Sequence, residues 1–289
     1  MKRRLIYWIT ILLISCAPES QNKHLSYQNI IILADLSSRL DNKPPKDIEE
    51  IDKIVDYFKR ECVKPGEKIG DKSCISFAPI SEKTAAIIDI NQIKNLEEKQ
   101  CFINSTGQYK DNGLEEKLQE FKKTIVDVYS TIRNPGLDLI SMLIEKVENE
   151  PIIKKDIILT DGLDTTFINY NNHIYIFTDG YLEYKKQNAA REFYFGNEEI
   201  EAVRQYCIAN GLDVKTALNK NQEICLPRSE TRWNKYINLH IMETHERDKD
   251  PKFQTYSHIR GLRDNDILEA VWSKWANDSG FKNFEWNKY

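Results

Sequence analysis

The sequence predicts an α/β protein built on a mostly parallel, doubly wound sheet flanked by helices, and three observations predict it. Apolar runs without polar alternation, such as Ile30 to Ala34, mark strands covered on both faces. Stretches with apolar residues at helical spacing separate those runs. Strand and helix then alternate along the chain, the βαβ rhythm that gives parallel sheets with helices on both sides.

The elements follow in order. After the strand Ile30 to Ala34, the residues Ile48, Ile51, Ile54, Val55, Phe58 and Cys62 recur at helical spacing, and Pro65-Gly66 ends that helix. Ser73 to Ile80 reads as a second strand and Ala85 to Ile90 as a third. Leu114, Leu118, Phe121, Ile125 and Val128 line a further helix, Asn134-Pro135-Gly136 breaks it, and Leu137 to Val147 is helical again. Two runs then end alike: Asp156 to Asp161 (DIILTD) and His173 to Asp179 (HIYIFTD). The residues between them offer no crossover helix, so one of the two is expected to be an irregular segment or an edge strand. Glu198 to Ala209 reads as a helix, Tyr236 to Met242 as a strand, Asp266 to Ala276 as a helix, and Lys282 to Trp286 as a short closing strand.

The chain opens with an address. Lys2, Arg3 and Arg4 precede an apolar stretch, Leu5 to Ile14, too short for the roughly 20 residues that span a bilayer but suited to a secretory signal. Its end, Leu13-Ile14-Ser15-Cys16, resembles the lipobox of bacterial lipoproteins, in which the cysteine is acylated and becomes the new N-terminus. Residues 1–16 are therefore expected to be a lipoprotein signal peptide, 17–28 a polar tether, and 29–289 one domain. The expected location is the bacterial cell envelope, with the domain outside the cytoplasm and Cys16 carrying the lipid anchor. More than one acyl chain is needed for stable anchoring.

Composition narrows the partners. Lys+Arg (41) nearly balances Asp+Glu (45), and no basic stripe interleaved with aromatics appears, so nucleic acid is not an expected partner. Five cysteines remain beyond Cys16, in a compartment that permits oxidation, and Cys207 with Cys225 is the candidate disulfide; reduced, buried thiols are the alternative. Neither GxGxxG nor GxxxxGK[ST] nor GxSxG occurs, and the histidines are scattered.

In doubly wound sheets ligands bind beyond the carboxyl ends of the strands. The polar residues there are Asp35, Ser37 and Arg39 after the first strand, and Thr178 and Asp179 after a later one, with Asp138 aimed from a helix start. The stretches ILADLSSRL and IYIFTDGYLEY resemble the first and last elements of a von Willebrand factor A domain with its metal-ion-dependent adhesion site, where one strand ends in Asp-x-Ser-x-Ser and another in Thr-Asp-Gly. The resemblance covers residues 29–289 and implies a protein-binding module whose metal seat draws on Asp35, Ser37, Asp138 and Asp179. Asp179 is preferred to Asp161 because its apolar run is longer.

The departures matter equally. Arg39 stands at the second serine position, and the middle loop lacks a clear threonine unless Thr131 serves. Arginine has no acceptor and cannot ligate a cation. Its fixed charge beside Asp35 predicts that Mg²⁺ or Mn²⁺ binding is weak or absent, with an arginine–aspartate ion pair in place of the metal. Arg39 and Thr178 are then the expected partner-binding residues. Asp35 bonding to the backbone and Ser37 or Ser38 capping a helix is the plainer reading. The expected function is capture of an unidentified protein at the strand-end site by a membrane-anchored lipoprotein. A metal-assisted hydrolase using Asp35, Asp138 and Asp179 is the alternative.

Overall fold

The computed structural model describes residues 22–36, 44–63, 71–131, 136, 138–161, 164–184, 193–243, 247–250 and 252–289. In chain order the elements are β1 (Asn22–Ala34), α1 (Pro44–Tyr57), β2 (Cys74–Pro79), β3 (Ala86–Asp89), α2 (Leu96–Ile103), α3 (Leu114–Thr131) and α4 (Leu139–Asn149). There follow β4 (Ile157–Asp161), β5 (Asp164–Thr178), α5 (Asn197–Asn210), α6 (Val214–Lys220), β6 (Ile237–Glu243), α7 (Asp264–Asp278) and β7 (Asn283–Lys288). The fold is the α/β, mostly parallel class that the alternation predicts. The sheet order is β3-β2-β1-β5-β6-β7, with β4 attached to β5 off that path. β1 runs parallel to β2, and β5, β6 and β7 run parallel to one another; β3 is antiparallel to β2.

Period-two alternation sends successive residues of β1 to opposite faces, and both faces are apolar. Ile30, Ile32 and Ala34 pack with Ile51 and Val55 of α1 and with Leu118, Phe121 and Ile125 of α3. Ile31 and Leu33 share the other core with Leu139, Ile140 and Leu143 of α4, Val203 and Cys207 of α5, and Trp272 and Trp275 of α7. That double cover is why Ile30 to Ala34 carries no polar residue.

Contacts divide the described chain into two compact units: one within Gln28–Lys154 and Asn171–Tyr289, and a smaller one of Lys155–Tyr170 with residues 22–27. In the smaller unit, β4 pairs antiparallel with β5 from Ile157↔Ile168 to Asp161↔Asp164, Tyr27 and Tyr170 are buried, and His24 stacks on Phe167 at 4.7 Å. DIILTD is thus the edge strand expected where no crossover helix exists.

Two expectations need correction. The stretch 17–28 is not all tether, because Asn22–Gln28 opens β1, and its alternation of exposed Ser26 with half-buried Leu25 and buried Tyr27 is a strand's. Cys207 and Cys225 are free thiols and form no bridge. Cys225 Sγ instead donates to the carbonyls of Leu218, at 3.2 Å, and Asn221, at 3.4 Å, while Cys207 is absorbed in the apolar core under α5. Burial raises both thiols above their ordinary range.

Candidate functional site

β1 and β5 are neighbours, so their carboxyl ends emerge side by side. Asp35 N–H donates to the Phe177 carbonyl at 2.9 Å, and Thr178 Oγ1 donates to Asp35 Oδ2 at 3.2 Å. Thr178 Oγ1 also accepts Gly180 N–H at 3.2 Å, so its single proton and a lone pair are both used. Asp35, Thr178 and Asp179 are all buried. A buried carboxylate needs a partner or a dense set of donors.

Asp179 has its partner in Arg247, in the loop after β6. Arg247 Nε and Nη2 donate to Asp179 Oδ2 at 3.1 and 2.7 Å, and Nη1 donates to Glu183 Oε2 at 2.6 Å. Asp179 Oδ1 accepts Tyr181 N–H at 3.2 Å. The guanidinium carbon lies 3.7 Å from the centre of the Tyr181 ring, a cation–π contact. Burial opposes the charge on Arg247, but Asp179 and Glu183 outweigh it and raise its proton affinity.

A second tier holds Tyr181 under the arginine. Its hydroxyl donates to Asp264 Oδ2 at 2.6 Å, and Arg204 Nη2 donates to Asp264 Oδ1 at 2.5 Å from α5. Burial first, then Asp264, pushes the Tyr181 phenol above its ordinary range, so it stays a donor. Gly180 adopts a left-handed φ of 82°, and a Cβ there would lie 2.5 Å from the Trp286 ring. Its carbonyl accepts Trp272 Nε1–H at 2.8 Å, which pins the turn to α7. The glycine of Thr-Asp-Gly is therefore required by both conformation and space.

The expected site residues divide. Asp35, Thr178 and Asp179 converge at adjacent strand ends. Asp138 caps α4 instead, with Oδ1 accepting Ser141 N–H at 3.1 Å and Oδ2 accepting Ser141 Oγ–H at 2.7 Å. Its loop does reach the rim, since a Cβ on Gly136 would lie 2.6 Å from the Glu183 carbonyl. Ser37, Arg39 and Cys16 lie outside the described residues.

A hard divalent cation wants about six oxygen donors, several of them water. Among the described residues no group of three or more His, Cys, Asp or Glu side chains is placed to hold one. Asp179 Oδ2 already carries two N–H donors, and Asp138 is occupied by Ser141. The described donor set does not fit Mg²⁺ or Mn²⁺. Arg39, expected to pair with Asp35, lies outside the described residues; the arginine described at this rim is Arg247, and it sits on Asp179. Nothing local singled it out in the sequence, since it lies five residues beyond Met242 in the ETHERD stretch.

A second polar row crosses β5, β6 and β7. His173 Nδ1 and His240 Nε2 are 2.9 Å apart, His240 Nδ1 lies 2.9 Å from Glu285 Oε2, and Tyr175 stacks on His240 at 4.3 Å. Burial first, then His240, lowers His173 to about 4. Scattered in sequence, these histidines meet only because β5 and β6 are parallel neighbours.

No family model and no curated protein matches the chain.

Proposed function

We propose that the chain is an exported lipoprotein, anchored through Cys16, whose von Willebrand A-like domain docks a partner protein at the carboxyl ends of β1 and β5. The observation that carries this reading is the convergence of Asp35, Thr178 and Asp179 on one rim beneath a half-exposed guanidinium. The sheet order, which sets the ends of β1 and β5 side by side, gives such a site the position that ligands take in doubly wound sheets.

Among the described residues, Arg247 uses three of its five N–H donors, on Asp179 and Glu183, and the other two are offered to a ligand. Two carboxylates already outnumber its charge, so a further carboxylate is repelled, and a neutral acceptor such as a partner's backbone carbonyl suits these donors better.

The test is cross-linking in isolated cell envelopes with the wild-type chain, Asp35→Asn and Cys16→Ser. The proposal expects a cross-linked partner whose yield falls about tenfold in Asp35→Asn, the loss of about 1.4 kcal/mol of binding. It expects Cys16→Ser to move the chain to the soluble fraction. Equal yields from wild type and Asp35→Asn overturn the docking site; a Cys16→Ser chain that stays with the membrane overturns the anchor.

A further inference from the structure

Among the described residues, the outer edge of the smaller unit has no strand beside it. Among the described residues β4 pairs with β5 alone, so its other edge carries a row of backbone donors and acceptors without a strand beside it. Every residue from 155 to 161 is exposed, and Ile157, Ile158 and Leu159 keep 39%, 65% and 50% of their surface in solvent. An apolar edge strand without an inward charge or proline is a template for another strand.

The sequence of this edge, KDIILTD, is complementary to itself. Two antiparallel copies related by a two-fold axis place outward-facing backbone groups opposite each other only when the axis passes through a residue. Centred on Ile158, the pairing sets Ile158 against itself, Ile157 against Leu159, Asp156 against Thr160, and Lys155 against Asp161, the last three each twice. Centred on Leu159, it sets Asp161 against Ile157. A slip to the Ile158–Leu159 bond sets Asp156 against Asp161, two like charges directly opposite.

We propose that β4 is a homodimerisation edge: two copies of the chain pair β4 with β4 in antiparallel register about Ile158, closed at both ends by Lys155–Asp161 ion pairs. A single strand pair of this length lies at the small end of specific interfaces, so the dimer is weak and concentration-dependent.

The test uses the full chain in detergent. Light scattering is expected to show wild type passing from monomer to dimer with concentration. Lys155→Asp is expected to weaken the dimer, and Lys155→Asp with Asp161→Lys to restore it. Because position 158 faces itself, Ile158→Cys is expected to give about ten times the covalent dimer of Leu159→Cys under mild oxidation, on a shared background of native thiols; directly opposed Cβ atoms lie about 4.5–5.5 Å apart. Ile158 is exposed, so these variants keep the fold. A wild-type chain that stays monomeric up to about 1 mM, far above the range of specific complexes, overturns the proposal. So does equal cross-linking at 158 and 159, or a charge swap that restores nothing. If lipid vesicles protect the thiol introduced by Ile158→Cys and no cross-link forms, the proposal is also overturned and the edge is assigned to a membrane surface.

Discussion

The chain carries Thr-Asp-Gly twice, and the two copies meet opposite fates. Asp161 ends β4 in the smaller unit, exposed and directly across from Asp164. Asp179 follows β5 in the larger unit, 1% exposed, with Arg247 on one carboxylate oxygen and the Tyr181 N–H on the other. The same Thr-Asp pair thus lies exposed on a hairpin strand in one place and becomes a clamped, buried charge in the other. What differs is the environment. β5 lies between β1 and β6, so its end is enclosed by neighbouring strand ends and by the loop that brings Arg247. A motif fixes the residues; the neighbours decide whether they become a site.

The sharpest way to break this comparison is to remove the arginine. Arg247→Ala leaves Asp179 buried without its counter-charge, and breaking a buried pair from one side costs about 3–5 kcal/mol. Arg247 is half-exposed, so the expected loss in urea unfolding is about 3 kcal/mol, and a loss under about 1 kcal/mol contradicts the clamp. Thr178→Val keeps shape but removes the proton given to Asp35 and the acceptor used by Gly180, with an expected loss of about 1–2 kcal/mol.

The histidine row predicts a smaller, pH-dependent effect. His173 takes its proton near 6.5 when unfolded and near 4 when folded. Between these values the unfolded chain binds more protons, so stability falls as pH drops from about 6.5 to about 4 and levels off below. His240 is shifted downward too, by burial against the opposing pull of Glu285, and adds to the same slope. His173→Gln is expected to flatten the stability profile across that window, and an unchanged profile contradicts the assignment. Smallest of all, Asp161→Ala should alter unfolding of the monomer by less than about 0.5 kcal/mol, because Asp161 is exposed. A loss comparable to that of Arg247→Ala would erase the distinction between the two motifs.

Much of this was legible in the residues. The unbroken apolar run of β1 announced a strand covered on both faces, and Ile31 and Ile32 do enter opposite cores. Local signals were too weak elsewhere. α2 spans only eight residues with little apolar periodicity, and what starts it is Asn95 accepting the Glu97 and Glu98 N–H groups. α6 is shorter still and starts on Asp213, which accepts the Thr216 N–H and hydroxyl. The first half of β1 read as a tether because its polar residues conceal the alternation of Leu25 and Tyr27. In the site, Asp35, Thr178 and Asp179 were readable because they follow apolar runs directly. Arg247 was not, because only tertiary structure joins the loop after β6 to the end of β5. Asp138 was readable as a helix start, which it caps, but an aspartate before a helix is a good ligand and an equally good cap, so its sequence did not choose between the two.

The most direct test is a double-mutant cycle on Asp179→Asn and Arg247→Gln, read by urea unfolding at pH 7. If the guanidinium is the partner that lets Asp179 stay charged and buried, the coupling is at least about 1.5 kcal/mol, within the range for residues in one ion-pair network. A coupling within about 0.5 kcal/mol of zero, as for sites that do not touch, would contradict the clamp on which the proposed docking rim depends.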